Sequence, residues 1–247
     1  MRLEIISKEE CDFLYTLLLR LNAPLQTWGS ESLYDNRNTD YYPTKSGVIG
    51  MIAAALGLQR GASLEELNSV QFGIRIDCQG EYVTDFQITD MIDENGKHFN
   101  KNLSKRMYLS DATFLVGLAS ANQELLERIR NAVHNPKFAM FLGRKSCPPT
   151  IPLDMGISES DLYTALYSYS WLVPEWRQKY LFGWRDKMEL RIVVEAQEGA
   201  LKKDVPCSFE ANDRRYGYRN IKDMPGKIVY KSIQENETDH DPMKELG

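Results

Sequence analysis

Cationic and hydroxyl side chains set beside stiff turns are the residues of this chain whose types and spacing could do chemistry, and the chemistry they suit is the holding of phosphates. The first set lies in Tyr42-Pro43-Thr44-Lys45-Ser46-Gly47-Val48-Ile49-Gly50. Pro43 fixes its own φ and drives Tyr42 towards an extended conformation, while Thr44 or Ser46 supplies an oxygen to cap the first free N–H groups of a helix. Lys45 then stands at the positive end of that helix, where an anion is favoured. The plainer reading of the same residues is a capped core helix whose lysine faces water. A P-loop is excluded, because glycines must precede the lysine and Tyr41, Tyr42, Pro43 and Thr44 stand there instead. Nucleotide hydrolysis is therefore not indicated.

Two further sets have the same character. Arg144-Lys145-Ser146-Cys147-Pro148-Pro149 puts two cations and a hydroxyl on a stiff turn, a place that suits phosphates or is simply a surface turn. Lys97, His98, Lys101, Lys105 and Arg106 fall within ten residues beside Phe99 and Tyr108. That mixture of charge and stacking surface is what single-stranded nucleic acid requires, and a solvated loop is the alternative. Lys97-His98 with Tyr41 or Tyr42 also offers, on paper, a metal-independent ribonuclease: histidine moves the 2′-hydroxyl proton and lysine stabilises the phosphorane charge. A loop tip is, however, a poor place to hold a proton-transfer geometry.

The elements that must position these residues follow from periodicity. Leu14 to Leu21 is an apolar run of strand length, and Pro24 and Gly29 bracket the loop after it. A polar and aromatic loop, Glu31 to Tyr42, carries Arg37 into the helix spanning Val48 to Leu56. Ser63-Leu64-Glu65-Glu66 reads as a capping box, and Phe72 to Cys78 alternates as a half-buried strand does. Ala112 to Leu118 is a strand, Ser120-x-x-Gln123 opens a helix ended by Asn135-Pro136, and Lys137 to Leu142 returns as a strand. Two β-α-β units in series predict an α+β, ferredoxin-like βαββαβ domain of the kind that underlies RNA-recognition modules. Between its halves, Gln79 to Asp111 is too long for a tight turn. Its Asn95-Gly96 signal predicts an extended hairpin with arms near Tyr82–Ile92 and His98–Leu109. After Gly143 the pattern predicts a helix from Ser158 to Tyr169 capped by Ser158, a strand from Met188 to Ala196, and a smaller β-rich extension. The expected organisation is a flexible extension at 1–13, the core at 14–149 with its insertion near 79–111, a C-terminal subdomain at 150–231 and an acidic disordered tail at 232–247.

Composition limits the alternatives. A 43% hydrophobic content over 247 residues supports a packed core. The net charge of −5 is carried by the two ends, so the body from Phe13 to Tyr230 is neutral and leaves room for a basic face. Cys11, Cys78, Cys147 and Cys207 are dispersed without a C-x-x-C pair or a secretory leader, which predicts a reduced, cytoplasmic protein. None of the three histidines has zinc-ligand spacing, so no metal and no cofactor is expected. The longest apolar run is broken by Gly50 and Gly57, so no membrane span is expected.

Four phrases carry a resemblance: Pro24-Leu25-Gln26-Thr27-Trp28-Gly29, Pro43 to Gly50, Tyr108 to Leu118, and Phe141 to Pro149. Together and in this order they resemble the CasD family over roughly Leu14 to Leu153, and the C-terminal part more loosely. This family supplies the subunit of the type I-E CRISPR surveillance complex, Cascade, that holds the 5′ handle of CRISPR RNA. The resemblance implies a non-catalytic RNA-binding protein with a protruding thumb at Gln79–Asp111, working beside the large subunit and a backbone of repeated subunits. Its duplex DNA target is reached through the assembled complex. The RNA-binding residues it implies, with those read above, are Arg37, Lys45, Ser46, Lys97, His98, Lys101, Lys105, Arg106, Tyr108, Arg144, Lys145 and Ser146. Two other functions stay open: an endoribonuclease processing repeat RNA, and a scaffold subunit that touches only protein.

Overall fold

The computed structural model describes residues 14–29, 36–92, 94–96, 98–210 and 213–231. The expected first and last segments, 1–13 and 232–247, lie outside these. The opening apolar run forms β1 (Tyr15–Asn22), and the loop after it adds two short strands, β2 (Leu25–Gln26) and β3 (Asn36–Arg37). Thr44, the first of the two expected caps, accepts from the Gly47 N–H to open α1 (Lys45–Leu56), and Gly57 ends it at φ 77°. Then come α2 (Glu65–Asn68), β4 (Gln71–Cys78), the hairpin β5 (Glu81–Ile92) and β6 (His98–Ser110), and β7 (Thr113–Ser120). Asn122, and not Ser120, caps α3 (Gln123–His134); the Ser120 hydroxyl accepts from the Asn122 N–H instead. The rest forms β8 (Asp154–Ser158), α4 (Leu162–Ser168), α5 (Glu175–Phe182), β9 (Lys187–Ala196), β10 (Ala200–Glu210) and β11 (Asp213–Tyr230). Among the described residues no helix is long and apolar enough to cross a membrane.

A seven-stranded antiparallel sheet in the order β10-β11-β9-β4-β7-β1-β8 carries the molecule. Successive strand residues face opposite sides, and both sides of its centre are covered. Leu17, Leu19, Leu21, Phe114 and Val116 pack under α1 and α3, whereas Leu18, Leu115 and Ile192 pack against α4. This two-sided burial explains why β1 and β7 read as unbroken apolar runs. Gly73 and Gly117 are register partners, and a Cβ on Gly117 would stand 2.6 Å from Leu162, so the paired glycines let α4 lie close on the sheet.

Two expectations are corrected here. Lys137 to Leu142 is not a strand: the Lys137 and Phe138 N–H groups donate to Ala55 and Ala54, closing the C-terminal carbonyls of α1. A short apolar run does not by itself tell a strand from such a strap. The strand beside β1 is β8, which takes in Ser158, and Asp161 rather than Ser158 caps the helix that follows. The C-terminal strands, for their part, continue the same sheet through β4 and β9, with Gly73 opposite Val194.

Lys45 ties this extension to α1. It is 2% exposed, and its Nζ donates to Glu195 (2.9 Å) and to the carbonyls of Asn68 (3.2 Å) and Val70 (3.0 Å). Its backbone N–H donates to Asp204 (2.9 Å), whose carboxylate also takes two bonds from Arg219. Glu195 in turn accepts from the Phe72 N–H. Burial pushes the Lys45 ammonium below its ordinary value, and Glu195 opposes that shift. Removing one partner of a buried pair leaves the other charge uncompensated. Glu195→Ala should therefore lower the unfolding free energy by about 3 kcal/mol, the lower end of such losses, because the Glu195 side chain is 23% exposed. Urea denaturation checks this, and a change below about 1 kcal/mol would remove the tie from the account.

A second carboxylate fastens β8. Burial alone would raise the Asp154 carboxyl, but bonds from Arg130, the Gly156 N–H and His134 together hold it below its ordinary value of 3.8. Its stabilising contribution is thus complete above that value and is lost as pH falls through the lower, folded-state value. Asp154→Asn should cost about 1–2 kcal/mol at neutral pH, and should make stability fall less steeply on acidification. Equal acid slopes for the two proteins in pH-dependent melting would contradict this.

Candidate nucleic-acid interface

The hairpin β5–β6 pairs in register from Glu81↔Ser110 out to Ile92↔His98. β5 occupies one edge of β6 throughout, and the other edge is shared at its root: β2 pairs at Leu109 and Ser110, and β3 runs parallel at Lys105 and Arg106. Gly80, at φ 70°, sets the root turn, where a Cβ would stand 2.3 Å from the Ser110 carbonyl. Tyr41 meets Tyr82 edge-on at 5.3 Å, and burial followed by the neighbouring Tyr41 and Asp40 pushes the Tyr82 phenol up to about 12. Outward of Ser104 no third strand supports the hairpin among the described residues. The six residues Gln87–Ile92 of that outer part extend about 20 Å at strand rise.

The period of two divides the cations that the sequence grouped together. Residues opposite one another share a face, so Lys101 lies with Asp90, and Lys105 lies with Phe86, its Nζ 5.7 Å from the ring centroid. His98 joins this face, Nδ1 3.7 Å from Asp90. Ile88 and Leu103 are also on it, both exposed. Arg106 and Tyr108 point to the opposite face. Lys97 lies outside the described residues.

At the root, Arg106 meets two other guanidinium-bearing residues. Arg37 on β3 is its register partner. Arg144 reaches in from the turn after the strap, its guanidinium carbon 4.6 Å from the Tyr108 ring centroid and its Nη2 donating to the Arg37 carbonyl (3.3 Å). That turn is seated by Thr27 N–H donating to Leu142, Leu142 N–H to Cys147, and Cys147 N–H to Arg144. Gly143, at φ 88°, packs so closely on Thr27 that a Cβ would stand 1.7 Å from its carbonyl oxygen. Lys145 and Ser146 are exposed on the same turn. Arg106 Nε, Arg144 Nη1 and Ser104 Oγ are shielded from solvent without a hydrogen-bond partner among the described residues. Asp85, opposite Arg106 on β5, accepts instead from Gln87. Like charges gathered around unpaired donors suit an anion with several acceptor oxygens.

Lys45 and Ser46 are not part of this cluster. All three Nζ donors of Lys45 are taken inside the protein, and the anion at the N-terminus of α1 is the carboxylate of Asp204. The Ser46 hydroxyl is buried and donates to Thr44. The Lys-His-Tyr set is also not assembled: Tyr41 contacts Tyr82 at the root, while His98 is at the tip, about 30 Å along the hairpin at strand rise. Tyr42 lies beneath Arg191 and Lys202. Burial pushes the Cys147 thiol up, away from nucleophilic use. Among the described residues no His, Cys, Asp or Glu group suits a metal ion.

The sequence reading missed the apolar side chains of the hairpin. Phe86 and Ile88 alternate with polar residues along β5, and that alternation was the available signal. It also missed Glu195 and Asp204, whose link to Lys45 spans 150 and 159 residues and leaves no local trace.

Comparison with known proteins agrees with this architecture. CRISPR system Cascade subunit CasD of Escherichia coli (strain K12) is 35% identical over 173 residues, covering 62% of this chain and 76% of that protein. A chain of a CRISPR RNA-guided surveillance complex superposes with a TM-score of 0.71 at 26% identity, covering 87% of this chain and 91% of its own. A crystal structure of a Cas protein gives 0.66 at 35% identity, covering 87% and 95%. Residues 16–222 match the CRISPR-associated protein (Cas5) family. With that match across most of its length, the chain belongs to the Cas5 family.

Proposed function

We propose that this protein is the non-catalytic RNA-binding subunit of a Cascade-type complex, and that it holds the 5′ handle of CRISPR RNA at the root of the β5–β6 hairpin. The observation that carries the reading is the gathering at the hairpin root of Arg106, its register partner Arg37, and Arg144 stacked on Tyr108, with Arg106 Nε and Arg144 Nη1 left without a hydrogen-bond partner among the described residues. Buried donors without partners cost stability, and phosphate oxygens would satisfy them. On this reading β1, β4, β7 and β8 with α1 and α3 are a ferredoxin-like core, and the hairpin is the thumb. The Lys101–Lys105 face, with Phe86 and Ile88, is placed to engage the neighbouring subunits and the guide as the particle forms. The large subunit, the backbone subunits and, through them, duplex DNA are the remaining partners. A binder rather than a nuclease is favoured by the separation of His98 from Tyr41.

Arg106→Gln with Arg144→Gln should weaken binding of repeat-derived RNA at least tenfold and flatten its salt dependence by about 0.7 in slope for each phosphate no longer neutralised. Arg106 Nε and Arg144 Nη1 have no partner among the described residues, while Arg144→Gln also gives up one bond to the Arg37 carbonyl and the stacking on Tyr108, so the melting temperature should change little. Unchanged affinity and salt slope in the folded double variant would favour the protein-only scaffold.

Replacing Asp90–Lys101 by a Gly-Ser turn should leave the isolated chain folded, since β4 and β7 register does not depend on it, but should reduce recovery of RNA-loaded particle. Size-exclusion of co-expressed subunits reads this out. A full-sized particle with its normal RNA load would make the hairpin a passive loop. Repeat RNA incubated with the wild-type protein should stay intact with or without divalent metal; cleavage abolished by His98→Ala would promote the endoribonuclease instead.

A further inference from the structure

Across the molecule's surface, large aromatic side chains stand exposed on α5 as well as on the hairpin. Trp176 and Tyr180 are one helical turn apart and therefore share a face, 66% and 81% exposed. Gly183 ends the helix, and Trp184 beyond it is 89% exposed, with the Arg185 guanidinium carbon 5.8 Å from its ring centroid. Arg177, Lys179, Arg185 and Lys187 interleave with these rings, and none is ion-paired among the described residues. Phe182 is the helix's buried side chain and packs on Trp171 beneath it, and Gln178 donates to the Val173 carbonyl. An aliphatic partner groove would present leucines and isoleucines here. Rings alternating with cations suit the bases and phosphates of a single strand.

The place of α5 gives the second reason. A cleft of about 240 Å³ is lined by Arg20, Asn22, Asp111, Thr150, Trp176 and Arg177. Asp111 directly follows β6, and Thr150 follows the Arg144 turn, its N–H donating to Asn22 (2.8 Å). One wall of the cleft is thus the root of the hairpin, and the other is the start of α5.

We propose that α5 is a second contact for single-stranded nucleic acid: a strand held at the hairpin root continues through this cleft, with bases stacking on Trp176, Tyr180 and Trp184 and phosphates meeting Arg177, Lys179 and Arg185. The path rests on the RNA-binding role of the root, but the stacking surface is a separate set of residues. The test compares the full chain, the variant Trp176→Ala, Tyr180→Ala, Trp184→Ala, and the Arg106→Gln, Arg144→Gln variant by fluorescence anisotropy. The probes are unstructured oligonucleotides of about 6 and about 16 nucleotides, in ribose and deoxyribose forms.

The aromatic variant should lose at least tenfold affinity for the longer probe and little for the shorter, whereas the arginine variant should weaken both. Loss in the ribose arm alone would assign the surface to the guide RNA, and equal loss in both arms would assign it to recognition that any single strand satisfies. Tryptophan fluorescence of the unaltered chain supplies a readout without mutation, and the longer probe should quench it more strongly. An aromatic variant that binds the longer probe as well as the unaltered chain, while the arginine variant is impaired, would overturn the α5 contact and leave the root intact. Loss on the longer probe by the aromatic variant, with the arginine variant unimpaired, would support α5 and remove the root from the strand's path.

Discussion

The ion pair of Lys45 with Glu195, and the carboxylate of Asp204 at the first turn of α1, are the constraint on which the rest depends. The C-terminal strands reach the sheet along one pairing, β4 with β9, and the Lys45 network is what ties them also to the helix above. Arg219 extends the network by bonding Asp204 while lying over the Phe72 ring at 4.9 Å. Lys45 pairs with Glu195 and Arg219 with Asp204, and backbone groups complete the bonding of Lys45 and both carboxylates, which is the condition under which buried charge is tolerated.

The root of the hairpin is the converse. Arg75, on the other side of the sheet, shows what a satisfied interior arginine looks like: it is paired with Asp77 and donates to three carbonyls of the segment Leu166–Ser170. Arg144 stacks on Tyr108, and Arg106 lies opposite Asp85, which is engaged by Gln87; neither arginine is ion-paired among the described residues, and each retains a shielded donor without a partner there. The difference between the two settings is chemical rather than positional. One closes its own electrostatics, and the other, on the proposed reading, leaves them open for a ligand that brings negative charge.

What could be read from the sequence follows from how local each signal is. The hairpin arms were legible because Asn95-Gly96 and the flanking alternation specify a turn and two strands nearly unaided. α1 was legible through Pro43 and Thr44, and α3 through its apolar face. The fourth strand of the core was not, since Lys137–Leu142 and Asp154–Ser158 are both short and only pairing decides between them. Charge was the least legible property. Lys45 carries every local mark of an anion site, and its partners lie on distant strands; Lys105 and Arg106 are neighbours in sequence and face opposite ways because the strand period is two. Tyr108 and Arg144 were singled out separately, and only the seating of the Gly143 turn on Thr27 brings them together.

The claim that the hairpin root, and not the start of α1, meets RNA is tested most directly by chemical footprinting of the native protein. Phenylglyoxal and an amine-reactive ester would be applied with and without repeat-derived RNA, and the modified peptides quantified by mass spectrometry. The account predicts that Arg37 and Arg144 react in the free protein and are protected by RNA, with Lys145 protected beside them, while Lys45 stays unreactive in both states. A Lys45 that reacts freely and is protected by RNA, with Arg37 and Arg144 unaffected, would contradict it.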